Sequence, residues 1–496
     1  MRPSSGDVLV GGGRQCHIGG MFQRVDVPLW LLILILLFAA VAFLSHFLFP
    51  SVRWFLRRRM ERAVERLNTR LERPIQPFKL MRRHDQIIRL VYDPQVMEAV
   101  AEYARDEKVP RSVAFEKARS YAREIVPGFS TATYFGFAIW LARWLSRLFY
   151  EVHLGPADAR TLRGIDSRSA VVFVMNHRSN MDYVLVTWLA ADRSALSYAV
   201  GEWARVWPLR ALIRAMGAYF IRRRYSSPLY RAVLARYVQM SIAEGVTQAM
   251  FPEGGLSLNG AVGPAKKGLL HYIVRDFDLA GEKDVVFVPV ALNYDRVLED
   301  EVLVKAGQSG DRRFRLRLTE AAGWLFWILW QKLLRRRSTY GHAAVCYGEP
   351  MSLRGYVTGR PDASTEALAG DLMVRIRAAV PLLPVPLVAA ALVRSGGSAS
   401  LTDLEARLAE LVDEARAKGA NLHLAEGSVA GTLRFGAEAL VKHAILQRDA
   451  ETLRPVPGQD ALLGYYAASV LQRLSEPAAE TAVPTGVVTL PEVAET

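Results

Sequence analysis

The sequence predicts an α/β domain built on a mixed sheet with flanking helices, carrying a transmembrane helix at its N-terminal side and helical additions before and after the domain. Three observations lead there. Between Glu151 and Pro350, short apolar runs alternate with helix-length segments, and polar residues gather where the runs end. Val27–Phe49 is a run of 23 residues with only Ser45 and His46 appreciably polar. From Asp362 onward the apolar spacing is that of helices.

At 496 residues the chain exceeds one ordinary core, so two or three domains are expected. The division read from the pattern is a flexible tail (1–26), the anchor (27–49), a basic helix and helical subdomain (51–132), the α/β domain (133–355), a helical C-terminal region (356–475) and a disordered, acidic tail (476–496). Lys and Arg number 63 against 49 Asp and Glu, a net charge of +14. That excess suits an anionic membrane surface, an anionic substrate or nucleic acid. The basic residues cluster beside apolar helices rather than among exposed aromatics, which argues against nucleic acid. Cys16 and Cys346 lie far apart without metal-ligand spacing, so neither a disulfide framework nor a zinc site is expected.

The apolar run reaches about 35 Å as a helix, enough for the ~30 Å hydrocarbon core. Arg53, Arg57, Arg58, Arg59, Arg62, Arg66, Arg70 and Arg73 follow it. Positive residues stay inside, which predicts a single-pass anchor in the cell (inner) membrane with the body of the protein on the cytoplasmic face. Lys79–Pro127 reads as a small helical subdomain with turns at Asp93-Pro94 and Val109-Pro110. Tyr134–Tyr150 and Ala321–Trp330 are aromatic-rich with basic residues in or beside them. Both fit helices in the membrane interface, and both fit core helices.

The chemistry is read at successive strand tips. Val171–Met175 runs into Asn176-His177-Arg178-Ser179-Asn180-Met181-Asp182, presenting a histidine and, five positions on, an aspartate. A short apolar stretch ends in Arg222, Arg223 and Arg224, whose planar forks match phosphate oxygens. Another strand delivers Glu253 beside Gly254 and Gly255, where a ligand can approach the backbone. Asp284–Leu292 contains Pro289, which suggests an edge or bulge, and leads to Asn293 at its tip. In open α/β sheets, sites form at the carboxyl ends of strands.

These residues resemble the blocks of the glycerolipid acyltransferase superfamily. HRSNMD (177–182) is similar to the first block, Gly217–Arg224 to the second, Phe251–Gly255 to the third and Val288-Pro289-Val290 to the fourth, in order and spacing. The wording is closest to the glycerol-3-phosphate and dihydroxyacetone-phosphate O-acyltransferase branch. The resemblance implies an acyltransferase-type fold and acyl transfer from acyl-CoA or acyl-carrier protein, as co-substrate, to a hydroxyl of glycerol 3-phosphate or a related phosphorylated acceptor. No cofactor or metal is implied. It assigns His177 as base with Asp182 as its partner, Arg222 and Arg223 to the phosphate, and Arg178, Ser179, Glu253, Gly254, Gly255 and Pro289 to substrate binding. One departure stands out: Leu256–Asn259 lacks the basic residues usual after the third block, and Lys266 or Lys267 is the expected substitute.

An imidazole with an ordinary pKa of ~6.5 can take the acceptor proton while the hydroxyl attacks the thioester, so no acyl-enzyme is needed. Asp182 would fix the tautomer, and backbone donors between His177 and Asp182 are expected to meet the oxyanion. Two rival readings stand: a lysophosphatidate acyltransferase, and a non-catalytic lipid-binding membrane scaffold. No chemistry is read in the C-terminal region.

Overall fold

The computed structural model describes residues 28–155, 164–189, 194–201, 209–222, 227–310, 340–362, 364–476 and 488–489. The chain divides into two units, Met1–Arg66 and Leu67–Thr496.

The N-terminal helix runs unbroken over Leu29–Asn68, so the expected anchor and basic helix form one element rather than two. Its described apolar residues from Leu29 to Phe38, Leu31 apart, are exposed. The side chains of 39–57, which include the rest of the expected anchor up to Phe49, lie outside the described residues. Among the described residues no helix is long and apolar enough to cross a membrane.

The second unit is organised by a nine-stranded mixed sheet. In chain order its strands are β1 (Glu151–Leu154), β2 (Ala170–Met175), β3 (Ser197–Val200), β4 (Tyr219–Phe220), β5 (Gln248–Met250), β6 (Val285–Tyr294), β7 (His342–Tyr347) and β8 (Met351–Ser352), joined by Val488–Thr489 at one edge. The spatial order from that edge is β1-β7-β6-β2-β5-β3-β4, with β8 also on β6. The pairs β1–β7, β6–β2, β2–β5, β5–β3 and β3–β4 are parallel, whereas β6 meets β7 and β8 antiparallel.

Side-chain alternation sorts the strands onto two cores. Val171, Phe173 and Met175 of β2, with Val286, Val288, Val290 and Leu292 of β6, face one core shared with the C-terminal helices. Ala170, Val172 and Val174, with Val285, Phe287 and Ala291, face the other, shared with the N-terminal helical subdomain. That subdomain comprises Pro77–Leu80, Arg83–Val91, Pro94–Asp106 and Arg111–Ile125. Asp93 accepts from Gln95 N and caps the third of these, as its Asp-Pro turn suggests.

Pro289 corrects an expectation. β6 is central, not an edge strand. Pro289 O accepts from Gly348 N at 2.8 Å, so its backbone faces the β7 and β8 side. There β7 pairs only from Val290 onward and β8 pairs only Val286 and Phe287. Gly348, one position past the last β7 pair, stands opposite Pro289 and gets no N–H in return, so the missing donor falls where the β7 ladder ends. Asn293 does stand at the carboxyl end of β6, one residue before its last, but its side chain is buried in protein contacts. It lies within β6 and donates to Pro381 O (2.8 Å) and Ser469 Oγ (3.3 Å).

The C-terminal region is helical at Thr365–Ala379, Pro384–Arg394, Leu401–Ala417, Val429–Lys442 and Asp460–Ser475. The first of these helices ends before Pro381, and the next begins at Pro384, with proline in its first turn. A small antiparallel sheet, Leu446–Asp449 with Thr452–Pro455 and Ala399–Ser400, was not expected from the sequence. The helix expected at 321–330 and the tail after 476, apart from Val488–Thr489, lie outside the described residues.

Candidate active site

β2 ends at Met175, and the helix Met181–Leu189 begins after five intervening residues. The intervening turn is over-determined by hydrogen bonds. Asn176 brackets β6, donating to Leu292 O (2.9 Å) and accepting from Leu292 N (2.8 Å). His177 Nδ1 lies 2.8 Å from Asp182 Oδ2. The same carboxylate oxygen accepts from Arg178 N (2.7 Å) and Ser179 N (3.1 Å), and Oδ1 accepts from Tyr294 Oη–H at 2.5 Å. Asp182 is fully buried, and four donors satisfy it. The His177 ring stacks on Phe251 (centroids 4.1 Å apart) and meets Tyr183 edge-on. With Nδ1 committed to Asp182, Nε2 is the nitrogen left for a substrate proton.

Glu253 braces this turn from β5. Its Oε1 accepts from His177 N and its Oε2 from Gly263 N, both at 2.9 Å. Burial pushes its carboxyl above the usual range, against the pull of those two N–H groups. Ser179 Oγ donates to Glu299 Oε2 (2.8 Å), and Asn180 donates to Glu299 Oε1 from both backbone and side chain. Burial raises Glu299 in the same way. Sequence reasoning missed Glu299 and Tyr294: both sit more than a hundred residues from the turn, and no local pattern marks them.

The bonding also corrects the expected oxyanion donors. His177 N is taken by Glu253, Arg178 N and Ser179 N by Asp182, Asn180 N by Glu299 and Met181 N by Ser179 Oγ. Each backbone N–H from His177 to Met181 already has an acceptor in the protein.

Arg178 is 2% exposed. It donates to Gly260 O, lies over the Tyr465 ring (5.0 Å to the centroid), and its Nε and Nη2 have no hydrogen-bond partner among the described residues. Gly260 is required here: its φ is +81°, and a Cβ would stand 1.8 Å from Tyr465 O. A cavity of about 590 Å³ opens beside this contact. Glu253, Gly255, Ser257, Asn259, Lys266 and Tyr465 are among its lining residues. The C-terminal region, in which no chemistry was read, therefore supplies a wall of the candidate site.

Of the two candidate lysines, Lys266 lines the cavity while Lys267 pairs with Glu366. Gly254 has φ +68°, and a Cβ there would meet the Lys266 chain at 2.9 Å. Arg222 is engaged elsewhere: its Nε and Nη2 hold both oxygens of Glu124 at 2.9 and 2.6 Å, with Tyr121 and Tyr230 around the guanidinium. The Glu124 hydrogen bonds raise its pKa further. Arg223 and Arg224 lie outside the described residues.

Two family profiles match the chain in tandem. The acyltransferase profile covers 158–293, which includes the His177 turn, and that for the glycerol-3-phosphate acyltransferase C-terminal region covers 319–482. Both matches are consistent with the glycerolipid acyltransferase superfamily. Among curated proteins, a glycerol-3-phosphate acyltransferase of Pseudomonas entomophila (strain L48) is 29% identical over 304 residues, which is 60% of this chain and 35% of the relative. One of Ectopseudomonas mendocina (strain ymp) is 32% identical over 54% of this chain and 31% of its own length. One of Pseudomonas putida KT2440 is 30% identical over 61% of this chain and 38% of its own length. The chain thus spans about a third of the length of the curated superfamily relatives it matches.

Proposed function

We propose that this chain moves a fatty acyl group from acyl-CoA or acyl-carrier protein to a hydroxyl of glycerol 3-phosphate. The carrying observation is the His177–Asp182 pair at the β2 tip, beside a cavity lined by Glu253 and Lys266. Asp182, held by Tyr294 and two backbone N–H groups, fixes the His177 tautomer and stabilises the imidazolium as it forms. Nε2 removes the acceptor proton while the hydroxyl oxygen attacks the thioester carbonyl. The tetrahedral intermediate expels the thiolate, which recovers the proton from His177. Phe251 and Tyr183 keep the ring in a dry setting, where the charge of Asp182 acts strongly. Lys266 supplies positive charge for the acceptor phosphate at the cavity, in place of basic residues at 256–259. Arg222, released from Glu124, and Arg223 would complete the anion site. The relatives' names support the choice of acceptor.

The test is an acceptor panel with purified full chain, labelled acyl-CoA or acyl-carrier protein, and glycerol 3-phosphate, dihydroxyacetone phosphate or lysophosphatidate. Product with glycerol 3-phosphate that disappears in His177→Ala supports the reading. Product with lysophosphatidate alone moves the assignment to that branch, and no product with any pair favours a lipid-binding scaffold.

The same reading places the protein on the cytoplasmic face of the inner membrane, held by the helix Leu29–Asn68. Support comes from its exposed residues Leu29–Phe38 and from a second apolar surface in the other unit. There Phe137, Trp140 and Trp144 are exposed, with the two indoles stacked (6.4 Å, 9°), while Ile139, Ala142, Ser146, Leu148 and Phe149 of the same helical stretch face the core. Resistance to alkaline carbonate extraction, lost on deleting residues 27–49, is the expected result; full extraction of the intact chain refutes the anchor.

A further inference from the structure

Three histidines far apart in sequence meet at the β1 edge of the sheet. His153 belongs to β1, His342 opens the neighbouring strand β7, and His423 follows the helix Leu401–Ala417 in the C-terminal region. One nitrogen from each lies within 4.8 Å of the others. Glu151 sits over the group, paired in register with His342. Its two oxygens are 3.7 Å from His153 Nε2 and 3.8 Å from His342 Nε2.

We propose that His153, His342, His423 and Glu151 bind one divalent transition-metal ion of borderline softness, Zn²⁺ being the chemical type. This site plays no part in the acyl transfer argued above.

Four features carry the assignment. First, the donor set is three imidazoles and one carboxylate, which suits a four-coordinate zinc ion. Second, His153 is 1% exposed, yet among the described residues neither of its ring nitrogens has a hydrogen-bond partner. A buried imidazole with both nitrogens orphaned is costly as plain core, and a metal ion would satisfy one of them. Third, His342 already has the outer contact that metal-bound histidines carry. Its Nδ1 lies 2.6 Å from Asp295 Oδ2, which fixes the tautomer and leaves Nε2 as the ligand atom. Asp295 is itself held, accepting from His342 N and Val385 N. Gly341 makes this approach possible, since a Cβ there would stand 2.6 Å from Asp295 Oδ2. Fourth, the charges cancel: two carboxylates, Glu151 and Asp295, offset a dication among neutral imidazoles.

Tetrahedral zinc with bonds of about 2.0–2.1 Å sets its ligand atoms about 3.3–3.4 Å apart. The Glu151 contacts need only contract by a few tenths of an ångström, and the histidine nitrogens by more. With protein atoms filling the coordination shell, the ion is structural. It ties β1 and β7 to the chain segment after Leu401–Ala417, fastening the acyltransferase sheet to the C-terminal region.

The test uses full-length chain with any affinity tag removed. After exposure to Zn²⁺ and dialysis, elemental analysis is expected to find one equivalent per chain. X-ray absorption at the zinc edge is expected to show a shell of imidazole nitrogens with one oxygen. Co²⁺ in its place is expected to give visible absorption of tetrahedral intensity. His153→Ala and His423→Ala should abolish retention, and Asp295→Asn should weaken affinity about 10- to 100-fold. Absence of a saturable equivalent, an oxygen-only shell, or equal retention in folded His153→Ala and His423→Ala chains overturns the proposal. Should those variants fail to fold, the absorption spectra of the intact chain decide alone.

Discussion

Asp182→Asn separates charge from geometry at the β2 tip. An asparagine there can turn its carbonyl oxygen toward His177 Nδ1, Arg178 N and Ser179 N, leaving its amide to face Tyr294 Oη. The turn keeps its bonds, so the variant should fold. What is lost is the negative charge beside an imidazole that becomes positive during transfer. Charges about 4 Å apart in a site with effective dielectric ~20 interact by about 4 kcal/mol. At about 1.4 kcal/mol per decade, kcat should fall roughly a thousand-fold. The KM for glycerol 3-phosphate should change little, because Asp182 is fully buried and its two oxygens face only the protein groups just named. The assay is steady-state thiol release from acyl-CoA in detergent micelles, with circular dichroism to confirm folding. A kcat within about ten-fold of wild type would falsify the role given to Asp182, and a KM effect without a kcat effect would move it to binding.

Three further outcomes are expected. Glu124→Gln loosens the two-pronged hold on Arg222 and should lower the KM for glycerol 3-phosphate about three- to ten-fold; an unchanged KM removes Arg222 from the phosphate site. Gly260→Ala forces a Cβ against Tyr465 O at positive φ and should destabilise the fold by about 2–4 kcal/mol, read as a lower urea midpoint; a wild-type midpoint refutes the close approach. Lys79 is buried with its Nζ on Ala195 O, and burial holds its pKa well below the ordinary lysine value. The unfolded chain therefore keeps that proton to higher pH, so this group's contribution to stability grows as pH rises toward ~10.4 and is lost as pH falls through the folded value. Lys79→Met should remove that slope, and parallel pH–stability curves for variant and wild type would count against the depressed lysine.

The sequence signals that proved legible were local ones. His177 and Asp182 stand out because an apolar strand breaks into a polar turn within a few residues, and the partner side chains lie on that same turn. Glu253 was legible as a strand-tip carboxylate, though its bonds go to His177 N and Gly263 N, bracing the turn. Arg222 shows the limit of such reading. Three arginines at a strand end suggest an anion, but the structure gives this one to Glu124, which the sequence places about a hundred positions earlier. Pro289 implies an edge only where a strand needs every N–H, whereas in central β6 the missing donor falls where the β7 pairing ends. The histidine cluster was invisible for a related reason. No local spacing joins His153, His342 and His423, which become neighbours through the parallel β1–β7 pairing and the docking of the C-terminal region.

The contact between Arg178 and Tyr465 has a consequence for biosynthesis. A ribosome releases the chain from the N-terminus onward, so β2 and its turn emerge long before the helix Asp460–Ser475. Until that helix arrives, the Arg178 guanidinium lacks its aromatic cover and the cavity lacks a wall. The nascent protein would therefore hold its base and partner in an unfinished pocket through most of translation. A truncated product ending before Asp460 would carry the whole HRSNMD turn with nothing to close it.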